Sequence, residues 1–538
     1  MPNDEFGDFQ TPIKLARMCV ESVVDRGPWK RVLEPTCGTG SFLEVAHELL
    51  SDAEAIGVEL QEEHAREAGR KATVIHRDIF GIDLASELPW AEDGPLLVVG
   101  NPPWVTIANL AVLESANLPV KENLKRLVGL EALTGASNFD IAEYIWIKLL
   151  RELQSQEPTI ALLCKTQVAR NVLEFSSQTG LPLESATIRR IDAKKWFGAM
   201  VDACLFTVTL RVGAANYVCD VYDALDAQLP SSTFGVVGGK FVSDVEAYRR
   251  YGAVDGKSPL EWRQGIKHDA TEVMELVDDS GPRQKSGQPV HIESDYLYPL
   301  LKCTDVFRDR LKPTKYMVVP MRSLAENTAE LETKAPKLWA YLTRFGDKLD
   351  KRQSSIYRSR SRFCVFGIGP YSFSPFKVAV SGLHKQAEFR LVCPTADGRP
   401  VVFDDTCYFL SFDSAEEASL VASLLRSKPA QATIGALAFW DSKRPITKRL
   451  LQRLDLAAIA DLAVDEAVLE DALRLAAAQG IKLDPEALSS AYADRRLAWA
   501  NPVPASKARR GGSRPKPVDG MTAAEGELSH SAAQGGLF

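Results

Sequence analysis

The sequence lacks the features that mark secreted, membrane-spanning and metal-stabilised proteins. Its nine cysteines are scattered singly, with no Cys-x-x-Cys pair, and its seven histidines form no His-Glu-x-x-His arrangement. There is no apolar run of about eighteen residues, and the N-terminal stretch has neither the basic nor the apolar region of a signal peptide. We therefore expect a cytoplasmic protein with reduced thiols, no membrane segment and no bound metal.

The chain also has no large excess of charge of one sign. Its 64 Lys and Arg residues against 71 Asp and Glu give a net charge of −7, which excludes a uniformly cationic, histone-like protein but leaves room for a local basic patch. A hydrophobic content of 45% excludes global disorder. The length of 538 residues predicts two to four domains, at about 150 residues per domain.

Two regions of different texture follow each other along the chain. Up to about residue 212, short apolar runs predict strands at 31–34, 55–59, 73–76, 96–99, 159–164 and 204–211, and amphipathic stretches predict helices at 40–50 and 139–153. This alternation indicates an α/β domain with a mostly parallel sheet. From 213 to 456, Gly, Pro and Ser interrupt short strand-like pieces, which predicts an irregular second domain.

The C-terminal part returns to helical periodicity and then loses it. Residues 414–425 and 445–498 have the apolar spacing of helices, which predicts a helical segment at 457–500. After residue 501 the composition shifts to Pro, Gly, Ala, Ser and charge, so we expect a disordered tail. Its basic residues would add at most nonspecific affinity for nucleic acid; they are Lys507, Arg509, Arg510, Arg514 and Lys516.

The most informative stretch is a glycine-rich turn at residues 32–42 (VLEPTCGTGSF). It matches neither a triphosphate-binding loop nor the complete Gly-x-Gly-x-x-Gly of dinucleotide folds. Gly38 and Gly40 would still let the backbone approach a ligand at the carboxyl end of the first strand. Glu34 favours a ligand that is positively charged there, such as a sulfonium that also carries an ammonium group, and disfavours a pyrophosphate.

Acidic residues also end the next two predicted strands. Glu59 lies 21 residues after Gly38, about the distance at which an acid binds ribose hydroxyls in nucleotide folds. Asp78, in HRDIF, could accept a hydrogen bond from an adenine amino group. Acids at three successive strand ends favour a site for one nucleoside-like ligand over the alternative, a glycine-rich turn beside solvated carboxylates.

A second motif follows the fourth predicted strand, at residues 98–104 (VVGNPPW). The two prolines fix the backbone and remove two N–H donors, so the Pro102 carbonyl is held as an acceptor. The Asn101 side-chain oxygen beside it gives a second acceptor. Two convergent acceptors suit the two hydrogens of an exocyclic amino group, and Trp104 could stack on the ring that carries it. The alternative is a proline-rich loop anchored by a core tryptophan.

Taken in order, these motifs resemble the S-adenosylmethionine-dependent DNA adenine-N6 methyltransferases of the gamma class, the Taq-type enzymes. The matching segments are FQTP at 9–12, EPTCGTG at 34–40, IGVEL at 56–60, RDIF at 77–80 and NPPW at 101–104. The resemblance implies an α/β fold, with a Rossmann-like methyltransferase domain and a mostly parallel sheet at 1–212. An irregular α+β target-recognition domain would follow at 213–456.

The resemblance also implies roles for the matching residues. In the cofactor site, Thr11 would contact the methionine moiety of S-adenosylmethionine and Glu59 its ribose. The rest of that site would comprise Glu34, Thr36, Gly38 and Gly40 around the pocket, with Asp78 and Phe80 at the adenine. Asn101 and Pro102 would bind the target amine and Trp104 would stack on its base.

One further catalytic aromatic is implied by a later stretch. Residues 195–210 (KWFGAMVDACLFTVTL) resemble the family motif in which a phenylalanine stacks on the flipped base. Phe197 is the candidate, with Trp196 as its rival and a plain core role as the alternative. The leading Asn101 favours adenine over cytosine, because the family's cytosine enzymes usually begin this tetrapeptide with serine.

In the second region, two stretches favour DNA contact. Residues 262–268 (WRQGIKH) resemble part of a target-recognition domain, with Arg263 and Lys267 as donors, although an ordinary surface loop fits equally well. Residues 341–390 hold ten Lys and Arg against three Asp and Glu, interleaved with aromatics. Arg358, Arg360 and Arg362 are the phosphate-binding candidates, with a solvated charged face as the alternative.

We therefore expect a site-specific DNA methyltransferase that acts on double-stranded DNA in a restriction-modification or phage-defence setting, with a separately encoded restriction endonuclease as a compatible partner. The cofactor motif begins by residue 9, so we expect no N-terminal nuclease domain. Three alternatives remain: an enzyme that modifies an RNA amine, one that modifies a protein glutamine amide, and a DNA-binding specificity protein with an inactive cofactor site.

Overall fold

The computed structural model describes residues 10–105, 140–440, 442 and 444–501. Three predictions fall at least partly outside these residues. They concern Phe9, residue 139 at the start of the helix predicted at 139–153, and the predicted tail after residue 501 with its basic residues from Lys507 to Lys516.

A ten-stranded sheet organises the first part of the chain. Its strand order is β10-β9-β8-β6-β7-β5-β4-β1-β2-β3. Strands β3, β2, β1, β4 and β5 run parallel, and β7 is antiparallel to both β5 and β6. The strands are β1 (Arg31–Glu34), β2 (Glu54–Glu59), β3 (Thr73–His76), β4 (Leu96–Gly100), β5 (Thr159–Lys165), β6 (Leu183–Ile191), β7 (Ala203–Leu210), β8 (Val218–Tyr222), β9 (Ser232–Val237) and β10 (Lys240–Val242).

Helices cover both faces of this sheet, which is why its central strands are continuously apolar. Every residue of β1 and β4 is buried, as expected for parallel strands with helices on both sides. The helices are α1 (Ile13–Val24), α2 (Ser41–Leu49), α3 (Glu62–Ala68), α4 (Ile141–Leu153), α5 (Thr166–Thr179) and α6 (Ala193–Phe197). The predicted α/β fold with a mostly parallel sheet is confirmed, and the strands predicted from apolar runs agree with the observed ones to within one or two residues.

The sheet continues past residue 212, where the change of texture places the domain boundary. Strand β8 pairs parallel with β6, and β9 and β10 extend the same edge. Beyond β10, the chain builds two smaller sheets, with orders β11-β19-β16-β17 and β13-β12-β15-β14-β18. Their strands are β11 (Arg263–Gln264), β12 (Glu275–Asp278), β13 (Pro282–Arg283), β14 (Leu297–Leu301), β15 (Lys315–Val318), β16 (Phe376–Ser381), β17 (Arg390–Val392), β18 (Val402–Phe403) and β19 (Cys407–Phe412).

The second region holds more helix than its sequence texture suggests. Helices between its strands are α7 (Val245–Tyr251), α8 (Thr271–Met274), α9 (Cys303–Phe307), α10 (Leu331–Lys334), α11 (Pro336–Arg344) and α12 (Gly346–Asp350). The C-terminal helices are α13 (Ala415–Arg426), α14 (Lys428–Leu437), α15 (Lys448–Leu451), α16 (Leu456–Leu462), α17 (Asp465–Ala478) and α18 (Pro485–Ala500). These C-terminal helices share one hydrophobic core with β16 and β19, so they belong to the second region.

Candidate cofactor and substrate site

The strand order of the large sheet places the candidate site. Strands β1 and β4 are neighbours, and the chain runs outward from them in opposite directions, to β2 on one side and β5 on the other. In open parallel sheets, ligands bind at the carboxyl ends of the strands at such a switch point. Glu34 ends β1 and Asn101 directly follows β4, so both predicted site residues lie there.

The glycine turn between β1 and α2 depends on backbone conformations that favour glycine. Gly38 has φ +49° and Gly40 has φ +82°, both in the left-handed region. A Cβ on Gly38 would lie 2.7 Å from Gln10 Oε1, and a Cβ on Gly40 would lie 3.0 Å from the Cβ of Ala68. Gly40 is also the N-cap of α2, directly before its first residue Ser41. These two glycines thus allow a close approach of three chain segments.

Glu59, at the end of β2, is tied to this turn. One of its carboxylate oxygens accepts a hydrogen bond from the Gly38 N–H and the other from the Gln61 N–H, each at 2.8 Å. The residue is buried. Each oxygen has lone pairs beyond the one that these bonds use, so the carboxylate can still accept hydrogen bonds from a ligand.

Glu34 is the most deeply buried of the three predicted acids, at 3% exposed. Its carboxylate accepts a hydrogen bond from the Leu43 N–H at 3.2 Å, in the first turn of α2. Burial raises the pKa of Glu34 well above its usual range, and the nearby Glu59 carboxylate raises it further. A cation bound beside Glu34 would favour its charged form, so this carboxyl suits a positively charged ligand.

Asp78 acts locally as a cap. Its Oδ1 accepts a hydrogen bond from the Phe80 N–H at 2.9 Å, which starts the short 3-10 turn Ile79–Gly81 after β3. The Phe80 ring is half-buried at the edge of the hydrophobic core beneath the sheet. Asp78 and Phe80 therefore lie beside each other, as a site for a purine ring requires.

One cavity brings most of the predicted site residues together. Its lining includes Thr11, Glu34, Thr36, Gly38, Glu59, Asp78, Phe80 and Asn101. Gly40, Pro102, Trp104 and Phe197 are not part of the lining. Within the described part of the chain, no hydrogen-bond partner reaches the buried Thr36 hydroxyl, although this residue faces the cavity. A buried polar group of this kind usually has a partner, so a polar ligand group fits there.

The tetrapeptide 101–104 divides its residues between the cavity and the core. Asn101 and Pro103 line the cavity, whereas Pro102 is buried. Trp104 is only 5% exposed, and its indole N–H donates to the Leu163 carbonyl at 3.4 Å. Its ring meets the Phe197 ring edge-on, at 5.2 Å between centroids and 75° between planes. Trp104 thus packs against Phe197, and the half-buried Phe197 ring is the more exposed of the two.

Two residues that the sequence analysis missed hold the end of the tetrapeptide. The Lys165 ammonium, at the end of β5, donates to the Trp104 carbonyl at 2.8 Å and lies 2.6 Å from an Asp140 carboxylate oxygen. The other Asp140 oxygen caps α4 by accepting from the Ala142 N–H. The sequence analysis placed Asp140 inside the helix predicted at 139–153, whereas the helix begins at Ile141 with Asp140 as its N-cap, and nothing in the sequence links Asp140 to Lys165 or Trp104.

The stretch 262–268 differs from the expected donor loop. Trp262 is 1% exposed in a hydrophobic core, and the Gly265 backbone approaches the Asp404 carbonyl so closely that a Cβ would lie 2.0 Å from it. Arg263 is ion-paired with Glu261 and lies 4.4 Å from the centre of the Tyr371 ring. The glycine therefore permits an approach within the protein, and Arg263 already has partners in the described chain.

The basic stretch after residue 341 is also less free than its composition suggests. Arg352 is buried and donates to four backbone carbonyls, those of residues 268, 349, 362 and 364. Arg362 forms a two-pronged ion pair with Asp350. Arg358 and Arg360 are exposed, and Lys267 is partly exposed 3.7 Å from Asp269. Fewer free basic side chains are therefore exposed than the composition of residues 341–390 suggests.

The described residue ranges lack two other kinds of feature. They contain no cluster of three or more His, Cys, Asp or Glu side chains that could hold a metal ion. They also contain no helix with the length and apolar character needed to cross a membrane.

Comparison with known proteins identifies the family. No protein-family model matches the chain. The chain is 37% identical over 469 residues to the type II methyltransferase M.NspV of Nostoc sp., across 85% of this chain and 97% of that protein. It is 31% identical over 104 residues to the type II methyltransferase M.CvrRI of Paramecium bursaria Chlorella virus XZ-6E, across 19% and 25% of the two chains. Among solved structures, the type IIL restriction-modification enzyme MmeI in complex with DNA covers 90% of this chain and 75% of its own, with 11% identity and a TM-score of 0.48. Because the match to M.NspV runs nearly end to end, the chain belongs to the family of type II methyltransferases.

Proposed function

We propose that this protein transfers a methyl group from S-adenosylmethionine to the N6 amino group of an adenine flipped out of double-stranded DNA. One observation carries the proposal: Asn101, the first residue of the tetrapeptide, opens into the same cavity as Glu34, Glu59 and Asp78. A group that binds an amine and acids that suit a sulfonium nucleoside thus lie next to each other, as direct transfer between two bound molecules requires.

The cavity residues fit S-adenosylmethionine group by group. Glu59 would accept hydrogen bonds from the two ribose hydroxyls, and Asp78 and Phe80 would hold the adenine. The buried Thr36 hydroxyl and Thr11 would contact the methionine moiety. Glu34, whose pKa burial raises, would gain a favourable partner from the positive charge of the cofactor. When bound, the cofactor supplies an electrophilic methyl group on sulfur.

The tetrapeptide would prepare the attacking nitrogen. The Asn101 side-chain oxygen and the Pro102 carbonyl would each accept a hydrogen bond from the adenine amino group, which localises the nitrogen lone pair towards the methyl carbon. Pro103 has no N–H that could compete for the Pro102 carbonyl. Lys165 and Asp140 fix the end of this segment by holding the Trp104 carbonyl. Positioning and fixed dipoles would therefore supply most of the rate acceleration.

Base flipping follows from the position of the reacting atom. The N6 group is paired inside the duplex and cannot reach Asn101 without leaving the stack. Phe197, supported edge-on by Trp104, would stack on the extruded base. In the second region, Arg358 and Arg360 would contact phosphates, with Arg362, Arg263 and Lys267 as further candidates whose ion pairs would have to rearrange. As in other restriction-modification systems, a separately encoded endonuclease would be the partner.

Methylation-aware sequencing tests this proposal directly. DNA is sequenced from cells that express the wild-type protein, the Asn101→Ala variant or neither. We expect N6-methyladenine at one recurring sequence in the wild-type sample alone. Methylation at cytosine N4 would contradict the choice of base, and methyl transfer to RNA without transfer to DNA would contradict the choice of substrate.

A further inference from the structure

The loop between β6 and β7 lies at the same sheet edge as the tetrapeptide. Ile191, at the end of β6, pairs with Ala203, at the start of β7, and Ala203 also pairs with Lys165, the last residue of β5. The Thr166 N–H donates to the Asp202 carbonyl at 3.0 Å, which fixes the end of the loop against β5. Within the loop, the Phe197 ring contacts Trp104. The loop therefore adjoins the place where a flipped base would enter.

The tip of this loop is apolar and exposed. Met200 is 80% exposed, and the next residue, Val201, is 40% exposed. Met200 lies three residues after Phe197, on the far side of the left-handed Gly198, which ends helix α6. Burial of the Met200 side chain against a bound partner would remove its apolar surface from water, which would favour binding.

Two basic residues precede the apolar tip in the same loop. Lys194 and Lys195 are exposed in α6, and the Lys195 ammonium lies 5.3 Å from the centre of the Trp196 ring. The acids of the loop are Asp192, which caps α6 by accepting from the Lys195 N–H, and the exposed Asp202. A loop that carries an exposed apolar tip, two exposed lysines and the Phe197 ring is complementary to a polyanion with an apolar interior, which is the character of a base-paired duplex.

We propose that Met200 is an intercalating residue that enters the base stack where the target adenine leaves it, while Lys194 and Lys195 contact the neighbouring phosphates. This inference rests on the proposed function. Extruding a base leaves a gap in the stack and costs the energy of unstacking and unpairing. An apolar side chain inserted into the gap restores contact with the neighbouring bases, and methionine is among the side chains that proteins insert in this way.

The test compares variants on two duplexes that carry the sequence identified by methylation-aware sequencing. In one, the target adenine is normally paired; in the other, it is opposite a mismatched base and is already partly unstacked. The variants are Met200→Ala and, as a matched control, Val212→Ala. Val212 is also strongly exposed, at 71%, but it lies just beyond the opposite end of β7. The affinity of each variant for S-adenosylmethionine serves as the check that the catalytic domain is folded.

We expect Met200→Ala to lower kcat/KM on the paired duplex about tenfold, the effect of leaving a methionine-sized apolar surface unburied. On the mismatched duplex, most of that loss should disappear, because the adenine no longer needs help to leave the stack. Fluorescence of 2-aminopurine at the target position should rise less with Met200→Ala than with the wild type. Val212→Ala should behave as the wild type throughout.

Two results would overturn the inference. One is a Met200→Ala variant that matches Val212→Ala on the paired duplex. The other is an equal loss on both duplexes, which would mean that Met200 supports the site rather than the opening of the duplex. Failure of the proposed function would look different, because the wild-type protein would then methylate adenine in neither duplex.

Discussion

Replacing Glu59 by alanine removes the acid that joins the cofactor turn to the end of β2. In the wild-type chain, its two carboxylate oxygens accept hydrogen bonds from the Gly38 and Gln61 N–H groups, each at 2.8 Å. The same carboxylate lines the cavity, where the ribose of S-adenosylmethionine would add further donors. The substitution therefore changes both the order of the turn and the affinity of the site.

The two effects have different sizes and different readouts. A hydrogen bond to a charged group contributes about 1.5–3 kcal/mol, so the loss of the ribose contact should weaken cofactor binding by about that amount. This corresponds to roughly a 10- to 150-fold rise in Kd. The two backbone N–H groups that lose their acceptor should lower the free energy of unfolding by about 1–3 kcal/mol each, less where water replaces the carboxylate.

Calorimetric titration with S-adenosylmethionine measures the first effect, and thermal unfolding measures the second. The matched control is Glu54→Ala, at the other end of β2, where Glu54 accepts a hydrogen bond from the Ala91 N–H at 2.9 Å. That variant also loses a contact to the backbone, but away from the cavity, and should keep the wild-type Kd. An unchanged Kd in folded Glu59→Ala, or an equal rise in Glu54→Ala, would refute the assignment of Glu59 to the ribose.

Three further predictions concern the reaction, the DNA and the second region. Asn101→Ala should abolish methyl transfer to DNA while leaving the calorimetric affinity for S-adenosylmethionine nearly intact, because in the proposed reaction Asn101 would contact the acceptor; transfer of tritiated methyl near the wild-type rate would remove it from the reaction. Arg358→Ala with Arg360→Ala should weaken DNA binding at all sequences and lower the slope of log K against log salt by about 0.9 per lost phosphate contact. Arg362→Ala, which removes an ion-paired arginine of the same stretch, is the matched control. An unchanged slope in the double variant would mean that Arg358 and Arg360 are exposed to solvent but do not contact phosphates. Burial lowers the pKa of Lys377 to about 7, so the unfolded chain binds a proton that the folded chain has released between about pH 7 and pH 10, and stability should rise with pH across that window. Denaturant unfolding of Lys377→Met should show a smaller rise, and the same pH dependence in both proteins would contradict the burial of the ammonium.

The sequence predicted best where local pattern and tertiary environment agree. Strands β1 and β4 are buried on both faces, so their apolar runs are visible without a structure. Strand β6 was missed because only four of its nine residues are buried and it includes Glu184 and two arginines, so it shows neither a continuous apolar run nor a regular alternation. Helix α11 was missed because it is only nine residues long and buries only Leu338 and Leu342, so its apolar face is too short to show a clear period.

In the candidate site, too, residues placed by local pattern were predicted and contacts between distant residues were not. Most of the predicted cavity residues lie at or just after the ends of strands. The sequence could therefore predict that they surround one ligand. The contact between Lys165 and the Trp104 carbonyl joins residues 61 positions apart, and local patterns carry no signal for it. The stretch 262–268 resembled a donor loop because its letters do not reveal that Trp262 is buried and that Gly265 packs against the Asp404 carbonyl.

The position of the second region relative to the cavity follows from how the large sheet ends. Beyond residue 212, strand β10 brings Ser243 against α14, where its N–H and hydroxyl donate to the Ala436 and Gly435 carbonyls. The Phe439 ring makes two further contacts with the first region. It stacks on the Phe241 ring, with 5.4 Å between centroids, and the Arg170 guanidinium of α5 lies 4.9 Å from its centre. Packed side chains and hydrogen bonds, rather than a free linker, thus join the two regions. In the proposed reaction, a flipped base would reach Asn101 only if the duplex were held at a fixed distance from the cavity, and this packed junction would supply that constraint.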